Sequence, residues 1–191
     1  MTVENNKNVF VILLGVSGVG KSSIIHAILA RENRYQYVKP YMTRPLRSGE
    51  QDKISVTGDV FKSMEASGEF IVVNEHFGFK YGTPRKTILD AFTSGSIPIL
   101  DYQLASIDNL VDPAYTLLKI YIQPDSINEW EKRLTTSGQY NKDRFILGKN
   151  ELRNIMSADN IHSVDHVVVN KDGQLDEAVE EIIKHTTKAI Q

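Results

Sequence analysis

The sequence predicts an α/β protein with a central parallel sheet, a small β-rich insert and an added helical segment. The first indication is the apolar run Val9–Leu14, which is followed by a glycine-rich turn and by a helical pattern over residues 21–30. The second is the return of apolar runs at Ile97–Asp101, at residues 117–122 and at His166–Asn170, with helical segments between them. Strands that alternate with helices indicate a parallel sheet that is covered on both faces.

The middle of the chain predicts the β-rich insert. Residues 41–50 contain turn formers and cations, and prolines at positions 40 and 45 argue against a regular element there, so we expect a binding loop. A helix is predicted over residues 58–67, and short strands over residues 70–73 and 76–82. Thr83 as cap and Pro84 in the first turn predict a helix that ends near Thr93.

The remaining segments predict helices around the resumed core. A short helical crossover is expected between the strands at residues 97–101 and 117–122, and a last helix over residues 175–188. Residues 126–160 are mostly helical in pattern and rich in cations, which could close over phosphates. These cations are Lys132, Arg133, Lys142, Arg144, Lys149 and Arg153.

Composition narrows the classes of function. The 191 residues, 41% hydrophobic and 24% charged, are ordinary for one compact domain. A net charge of −2 provides no general attraction to nucleic acid or an anionic membrane, so we expect neither as a partner. The chain has no cysteine, which excludes disulfides and thiolate catalysis, and its polar first residues do not resemble a signal peptide. We expect a cytoplasmic protein.

The most specific motif is the stretch from Gly15 to Ser22, whose spacing G-x-x-x-x-G-K-S is that of a phosphate-binding loop. Glycines let backbone N–H groups approach phosphates, Lys21 can reach the β- and γ-phosphates, and the Ser22 hydroxyl can bind Mg²⁺. The alternative, a glycine-containing turn that binds nothing, requires strand, spacing, Lys and Ser to coincide by chance. The predicted nucleotide-binding residues are Gly15, Ser17, Gly18, Val19, Gly20, Lys21, Ser22 and Ser23.

Several segments in order resemble the guanylate kinase family over about the whole length of the chain. They are residues 15–22, residues 43–50, residues 80–84, the strand that ends in Asp101, residues 132–134 and residues 165–170. The resemblance implies a P-loop kinase core with a central parallel sheet, an acceptor-binding insert and a helical lid. In this single domain the core is expected at about residues 8–34, 96–125 and 161–191, the insert at about 35–95 and the lid at about 126–160.

The resemblance also implies roles for individual residues. Arg44, Arg47 and Tyr81 would hold the acceptor phosphate, and an arginine fork suits this task because it offers two parallel hydrogen bonds to a phosphate. Thr83 keeps the hydroxyl expected in the acceptor site, and Gln103 stands where the family has an aspartate.

Two strand-end residues are expected near ATP. Asp101 would hold Mg²⁺ through water, although an aspartate at a strand end is equally a helix cap. Asn170 matches the position near the adenine of ATP, with a turn residue as the alternative.

The expected catalytic residues are Lys21, Arg44, Arg133 and Arg144. Arg144 and Arg133 are candidates because the lid arginines of the family fall at Ser137 and Gly148 in this chain. Arg144 lies one helical turn before Gly148, so a continuous helix would present both positions on the same face.

The departures concentrate on the groups that read guanine. The family's base-reading glutamate aligns with Val72, which cannot accept hydrogen bonds, and a phosphate-holding tyrosine aligns with Val56. We expect transfer of the ATP γ-phosphoryl group to a phosphorylated small molecule, GMP by resemblance, with ATP and Mg²⁺ as cofactors and an oligomeric state left open.

Two alternatives remain. The first is a kinase for a non-guanine acceptor, since residues 41–44, 48–50 and 53–57 also resemble the ribose 1,5-bisphosphate phosphokinases. The second is a silent guanylate-kinase-like binding module, which typically loses the lysine that stands here as Lys21.

Overall fold

The computed structural model describes residues 7–46, 49–76, 78–102, 104, 107, 110, 112–138, 140–156 and 164–191. The strands in this part of the chain are β1 (Val9–Leu14), β2 (Tyr35–Tyr37), β3 (Tyr41–Met42), β4 (Ile54–Ser55), β5 (Phe70–His76), β6 (Phe79–Pro84), β7 (Ile97–Asp101), β8 (Thr116–Pro124) and β9 (His166–Asn170). The helices are α1 (Lys21–Arg31), α2 (Gly58–Ala66), α3 (Arg85–Thr93), α4 (Ile127–Thr136), α5 (Lys142–Met156) and α6 (Leu175–Ile190).

The central sheet has five parallel strands in the order β2-β7-β1-β8-β9. Strand β1 lies in the middle and every one of its residues is buried, which explains its uninterrupted apolar sequence. Helices α1 and α6 pack on each other and on the sheet, and α3 packs against β7. All carboxyl ends of the parallel strands therefore open on one edge of the sheet, where ligands bind in open α/β folds.

The insert is built on a second sheet of four strands in the order β4-β3-β6-β5. Its core is aromatic: the Phe70 ring lies 4.8 Å from that of Phe61 on α2 and 5.9 Å from that of Tyr41 on β3, between ring centroids. These contacts fasten α2 to the sheet, so the insert has a small apolar centre of its own. The fold class predicted from the sequence is confirmed.

Three local predictions differ from the structure. Residues 41–42 form β3 rather than part of a loop, because the register pairs Tyr41 with Gly82 of β6 and with Ile54 of β4. Thr83 and Pro84 end β6 instead of opening a helix, and α3 starts one residue later with Pro84 as its cap. Strand β2 pairs with β7 in the central sheet, so we propose to place the boundary between core and insert after Tyr37.

The crossover predicted between β7 and β8 lies mostly outside the described residues. Among the helices that the structure describes, none has both the length and the apolar character needed to cross a membrane.

Candidate active site

A cavity of about 600 Å³ lies at the carboxyl edge of the central sheet. Three parts of the fold form its wall: the loop after β1 with the start of α1, the ends of β7 and β9, and residues from the insert and from α4. Its lining includes Ser17, Gly18, Gly20, Lys21, Ser22, Ser23, Glu50, Asp52, Lys53, Asp101, Arg133, Ser137, Asn170, Lys171 and Asp172. The predicted nucleotide-binding loop and the predicted metal ligands thus share one space.

Side chains fix the loop through its carbonyl groups. Lys21 Nζ donates hydrogen bonds to the carbonyl oxygens of Gly15, at 2.6 Å, and Val16, at 3.1 Å. Asn170 Nδ2 donates to the carbonyl oxygen of Val19 at 2.8 Å, and this amide lies directly against the Cα of Gly20. Gly20 has a φ of 103°, and a Cβ there would collide with the Asn170 amide, so glycine is required.

The environment of Lys21 favours an anionic ligand. Burial lowers the pKa of its ammonium group, and the carboxylates of Asp101 and Glu151 oppose this effect. A bound phosphate would add further negative charge beside the ammonium group. Phosphate binding and protonation of Lys21 therefore stabilise each other.

Asp101 is held in place by the half-buried phenol of Tyr37. The Tyr37 hydroxyl donates to Asp101 Oδ1 at 2.6 Å, and burial together with the Asp101 charge raises the pKa of Tyr37. The phenol thus stays protonated and orients the carboxylate. Asp101 and the Ser22 hydroxyl line the same cavity, and such oxygen donors fit Mg²⁺, which keeps most of its ligands as water and phosphate oxygens.

Two of the predicted acceptor-phosphate residues, Arg44 and Tyr81, lie together, and neither is in the lining of this cavity. Arg44 Nε donates to the Tyr81 hydroxyl at 3.4 Å, and its Nη2 donates to both carboxylate oxygens of Glu50 at 2.7 and 2.9 Å. The hydrogen bonds that Arg44 donates to Glu50 raise the pKa of Arg44. Glu50 itself lines the cavity, so it connects the Arg44–Tyr81 pair to the space beside the loop.

Helix α4 also packs against the phosphate-binding loop. Trp130 Nε1 donates to the Ser17 carbonyl oxygen at 2.8 Å, and its ring stacks on Phe145 of α5 at 5.0 Å between centroids. Arg133 Nη2 donates to the Asn170 carbonyl oxygen at 2.9 Å and Arg133 lines the cavity. Gly148 lies against the Trp130 ring, where a Cβ would come within 2.5 Å of Cη2.

Apart from Gly15, Arg44 and Tyr81, the predicted site residues divide into three groups. Those that line the cavity are Ser17, Gly18, Gly20, Lys21, Ser22, Ser23, Asp101, Arg133 and Asn170. Val19 and Thr83 are buried, with 0% and 3% exposure, so their side chains face the interior. Arg47, Gln103 and the side chain of Arg144 lie outside the described residues, although the helix that carries Arg144 is continuous as predicted.

Sequence reasoning missed Tyr37, Lys53 and Trp130. Tyr37 and Asp101 are 64 residues apart in the chain, and Trp130 and Ser17 are 113 residues apart, so neither contact has a local sequence signal. Lys53 could have been found, because it is a cation directly after Asp52 in a segment already predicted to bind an acceptor.

The parallel sheet, the phosphate-binding loop and the helices beside it are the fold of a P-loop kinase, and the family comparison shows a phosphotransferase of the nucleoside monophosphate kinase type. The family model for guanylate kinase matches residues 7–189, and the chain belongs to the guanylate kinase family. The family resemblance predicted from the sequence is confirmed.

Individual relatives agree with this assignment. A guanylate kinase of Nostoc sp. is 36% identical over 132 residues, which is 68% of this chain and 66% of that protein. A guanylate kinase of Trichormus variabilis is 34% identical over 142 residues, covering 72% of this chain and 71% of that protein. A crystal structure of guanylate kinase from Anaplasma phagocytophilum has the same fold, with a TM-score of 0.71 at 19% identity over 97% of this chain and 88% of that chain.

The packing of Gly148 predicts how an arginine is tolerated at the two lid positions. Gly148→Arg should lower the free energy of unfolding by about 1–3 kcal/mol, because the new side chain must displace the Trp130 ring. Ser137→Arg should change it by less than about 0.5 kcal/mol, because Ser137 is exposed. Urea unfolding of both variants measures the difference, and equal stabilities would contradict the packing described here.

Proposed function

We propose that this protein transfers the γ-phosphoryl group of Mg·ATP to a phosphorylated small molecule, with GMP as the first acceptor to consider. The observation that carries the proposal is that the phosphate-binding loop lines the same cavity as Glu50, Asp52 and Lys53 of the insert. A donor phosphate on the loop and an acceptor on the insert would meet there. Family membership and the relatives named guanylate kinase support GMP.

The charges of the cavity support a metal-bound nucleotide as the donor. Its lining holds four cations, Lys21, Lys53, Arg133 and Lys171, and four carboxylates, Glu50, Asp52, Asp101 and Asp172. A polyphosphate that enters a formally neutral cavity needs further positive charge. Bound Mg²⁺ supplies this charge to the phosphates, with Ser22 and Asp101 as the residues that would hold it.

The chain's own residues would act by positioning and by charge. Lys21 would hold the donor phosphates, and Arg133 of α4 lines the same cavity. Arg44 would replace part of its hydrogen bonding to the Glu50 carboxylate with hydrogen bonds to the acceptor phosphate, which is also an anion. Tyr81 would stay beside Arg44. Alignment of donor and acceptor accounts for most of the catalysis of phosphoryl transfer.

A non-guanine acceptor is the second candidate, and Val72 is the observation that favours it. Val72 lies on β5 opposite Thr83, with 9% exposure and within the main hydrophobic cluster. An apolar side chain at this position gives the N1–H and 2-amino groups of guanine no acceptor. A silent binding module is less well supported, because Lys21 and Ser22 both line the cavity.

The proposal includes a cytoplasmic location, which rests on the cysteine-free composition and on the nature of the substrates.

ADP release from Mg·ATP tests the proposal directly. Purified protein would be given GMP, dGMP, AMP, CMP, UMP and ribose 1,5-bisphosphate, each as the single acceptor. Selective turnover of GMP supports the first candidate, and turnover of the sugar bisphosphate alone supports the second. The absence of turnover with every acceptor would contradict a kinase function and favour a binding module.

Replacement of Lys21 tests the role of the loop. Lys21→Ala should lower kcat by about 10³-fold or more, because it removes the ammonium group that lies against the donor phosphates. Lys184→Ala, which removes an exposed lysine from α6, should keep wild-type activity. Circular dichroism should show the same fold for both variants, and turnover by the Lys21 variant near the wild-type rate would refute the mechanism.

Val72→Glu tests whether the base lies beside β5. If it does, the ratio of kcat/KM for GMP over AMP should rise by about tenfold or more, because a carboxylate can accept both guanine donors. This ratio does not depend on the fraction of folded enzyme, which matters because Val72 is buried. Val72→Leu is the matched apolar control and should leave the ratio unchanged; a ratio that stays constant in both variants places the base elsewhere.

A further inference from the structure

The lid side of the cavity lacks two of the positive charges that the family resemblance leads one to expect. Ser137 lines the cavity but carries no charge. Gly148 cannot be replaced by an arginine without displacing Trp130, as its close contact with that ring shows. Arg133, which does line the cavity, already donates one guanidinium N–H to the Asn170 carbonyl oxygen.

Lys53 of the insert brings a further cation into the same cavity. Its side chain is only 19% exposed, and its Nζ lies 3.0 Å from Asp52 Oδ2 and 3.9 Å from Glu50 Oε1. Lys53 and Lys21 both line the cavity. Lys53 is also close enough to act on Lys21 electrostatically. Burial is the main cause of the lowered pKa of Lys21, and the positive charge of Lys53 lowers this pKa further.

We propose that Lys53 is a catalytic residue whose ammonium group contacts the transferring phosphoryl group, so that the insert supplies a positive charge absent from Ser137 and Gly148 of the lid. This inference rests on the proposed function. In the step, an acceptor phosphate oxygen forms a bond to the γ-phosphorus while the bond from that phosphorus to the β–γ bridging oxygen breaks. ADP leaves with the electron pair, and Lys53 keeps its proton throughout.

The contacts of Lys53 explain how it is held ready for this role. Asp52 and Glu50 balance its charge when no phosphate is present, and a phosphoryl group would compete with these carboxylates for the ammonium. Glu50 also binds Arg44, the predicted acceptor-phosphate residue. One short segment therefore places the acceptor cation and the catalytic cation together, and an insert that carries the acceptor toward the loop carries Lys53 with it.

Steady-state kinetics of four variants with Mg·ATP and the best wild-type acceptor test the inference. Lys53→Met should lower kcat by about 100-fold and leave the KM for Mg·ATP within about threefold of wild type, because the charge acts mainly in the transition state. Lys53→Arg should recover at least about a tenth of the wild-type kcat. Lys86→Met is the matched control, since Lys86 is 85% exposed on α3, and it should retain the wild-type kcat.

The double variant Asp52→Asn/Lys53→Met separates catalysis from local charge balance. It removes one carboxylate along with the ammonium, so a kcat that stays low supports the inference. Recovery of the wild-type kcat in the double variant, or a Lys53→Met kcat within about threefold of wild type, would overturn it. A wild-type protein that turns over none of the acceptors means instead that the proposed function has failed, which is a different result.

Discussion

The site depends on the direction in which the peptide groups of the phosphate-binding loop point. Four of its carbonyl oxygens accept hydrogen bonds from side chains: those of Gly15 and Val16 from Lys21, that of Ser17 from Trp130 and that of Val19 from Asn170. A trans peptide is planar, and its N–H points opposite to its C=O. Each carbonyl turned toward the protein therefore turns the following amide away from it, and this gives the loop its row of donors.

This constraint links elements that are far apart in the chain. Asn170 ends the edge strand β9, Trp130 belongs to α4, and the loop follows the central strand β1. Because the sheet is parallel, β1, β7 and β9 end at the same edge, so Asp101 and Asn170 arrive beside the loop without any special local signal. The sheet thus determines where the site is, and the side-chain hydrogen bonds determine its orientation.

Much of the fold could be predicted because its signals are local. Strands β1, β7 and β9 have the bounds that their apolar runs indicate, and α1 starts at Lys21, directly after the loop. The two-residue strand β3 could not be predicted in this way, since it exists only through its pairing with β4 and β6. The pairing of β6 with β5 likewise overrides the capping signal of Thr83, because it places Thr83 opposite Val72 in the sheet.

The residues of the site also divide into those with a local sequence signal and those without one. The residues of the loop were predictable because backbone geometry fixes their spacing in sequence. The groups that hold them were not, because Tyr37 and Trp130 act on partners far along the chain. Gly148 is an example. The family resemblance leads one to expect an arginine there, and the structure explains the glycine because the Trp130 ring occupies the space that a side chain would need.

Trp130 has one more consequence. It is the only tryptophan in the chain, the residue is 1% exposed, and its indole is hydrogen-bonded to the loop and stacked on Phe145 of α5. Its ultraviolet emission therefore comes from a place where the loop meets α4 and α5. The protein carries its own fluorescent reporter, so any change in the contacts of Trp130 with the loop and with α5 would alter its emission without an attached dye.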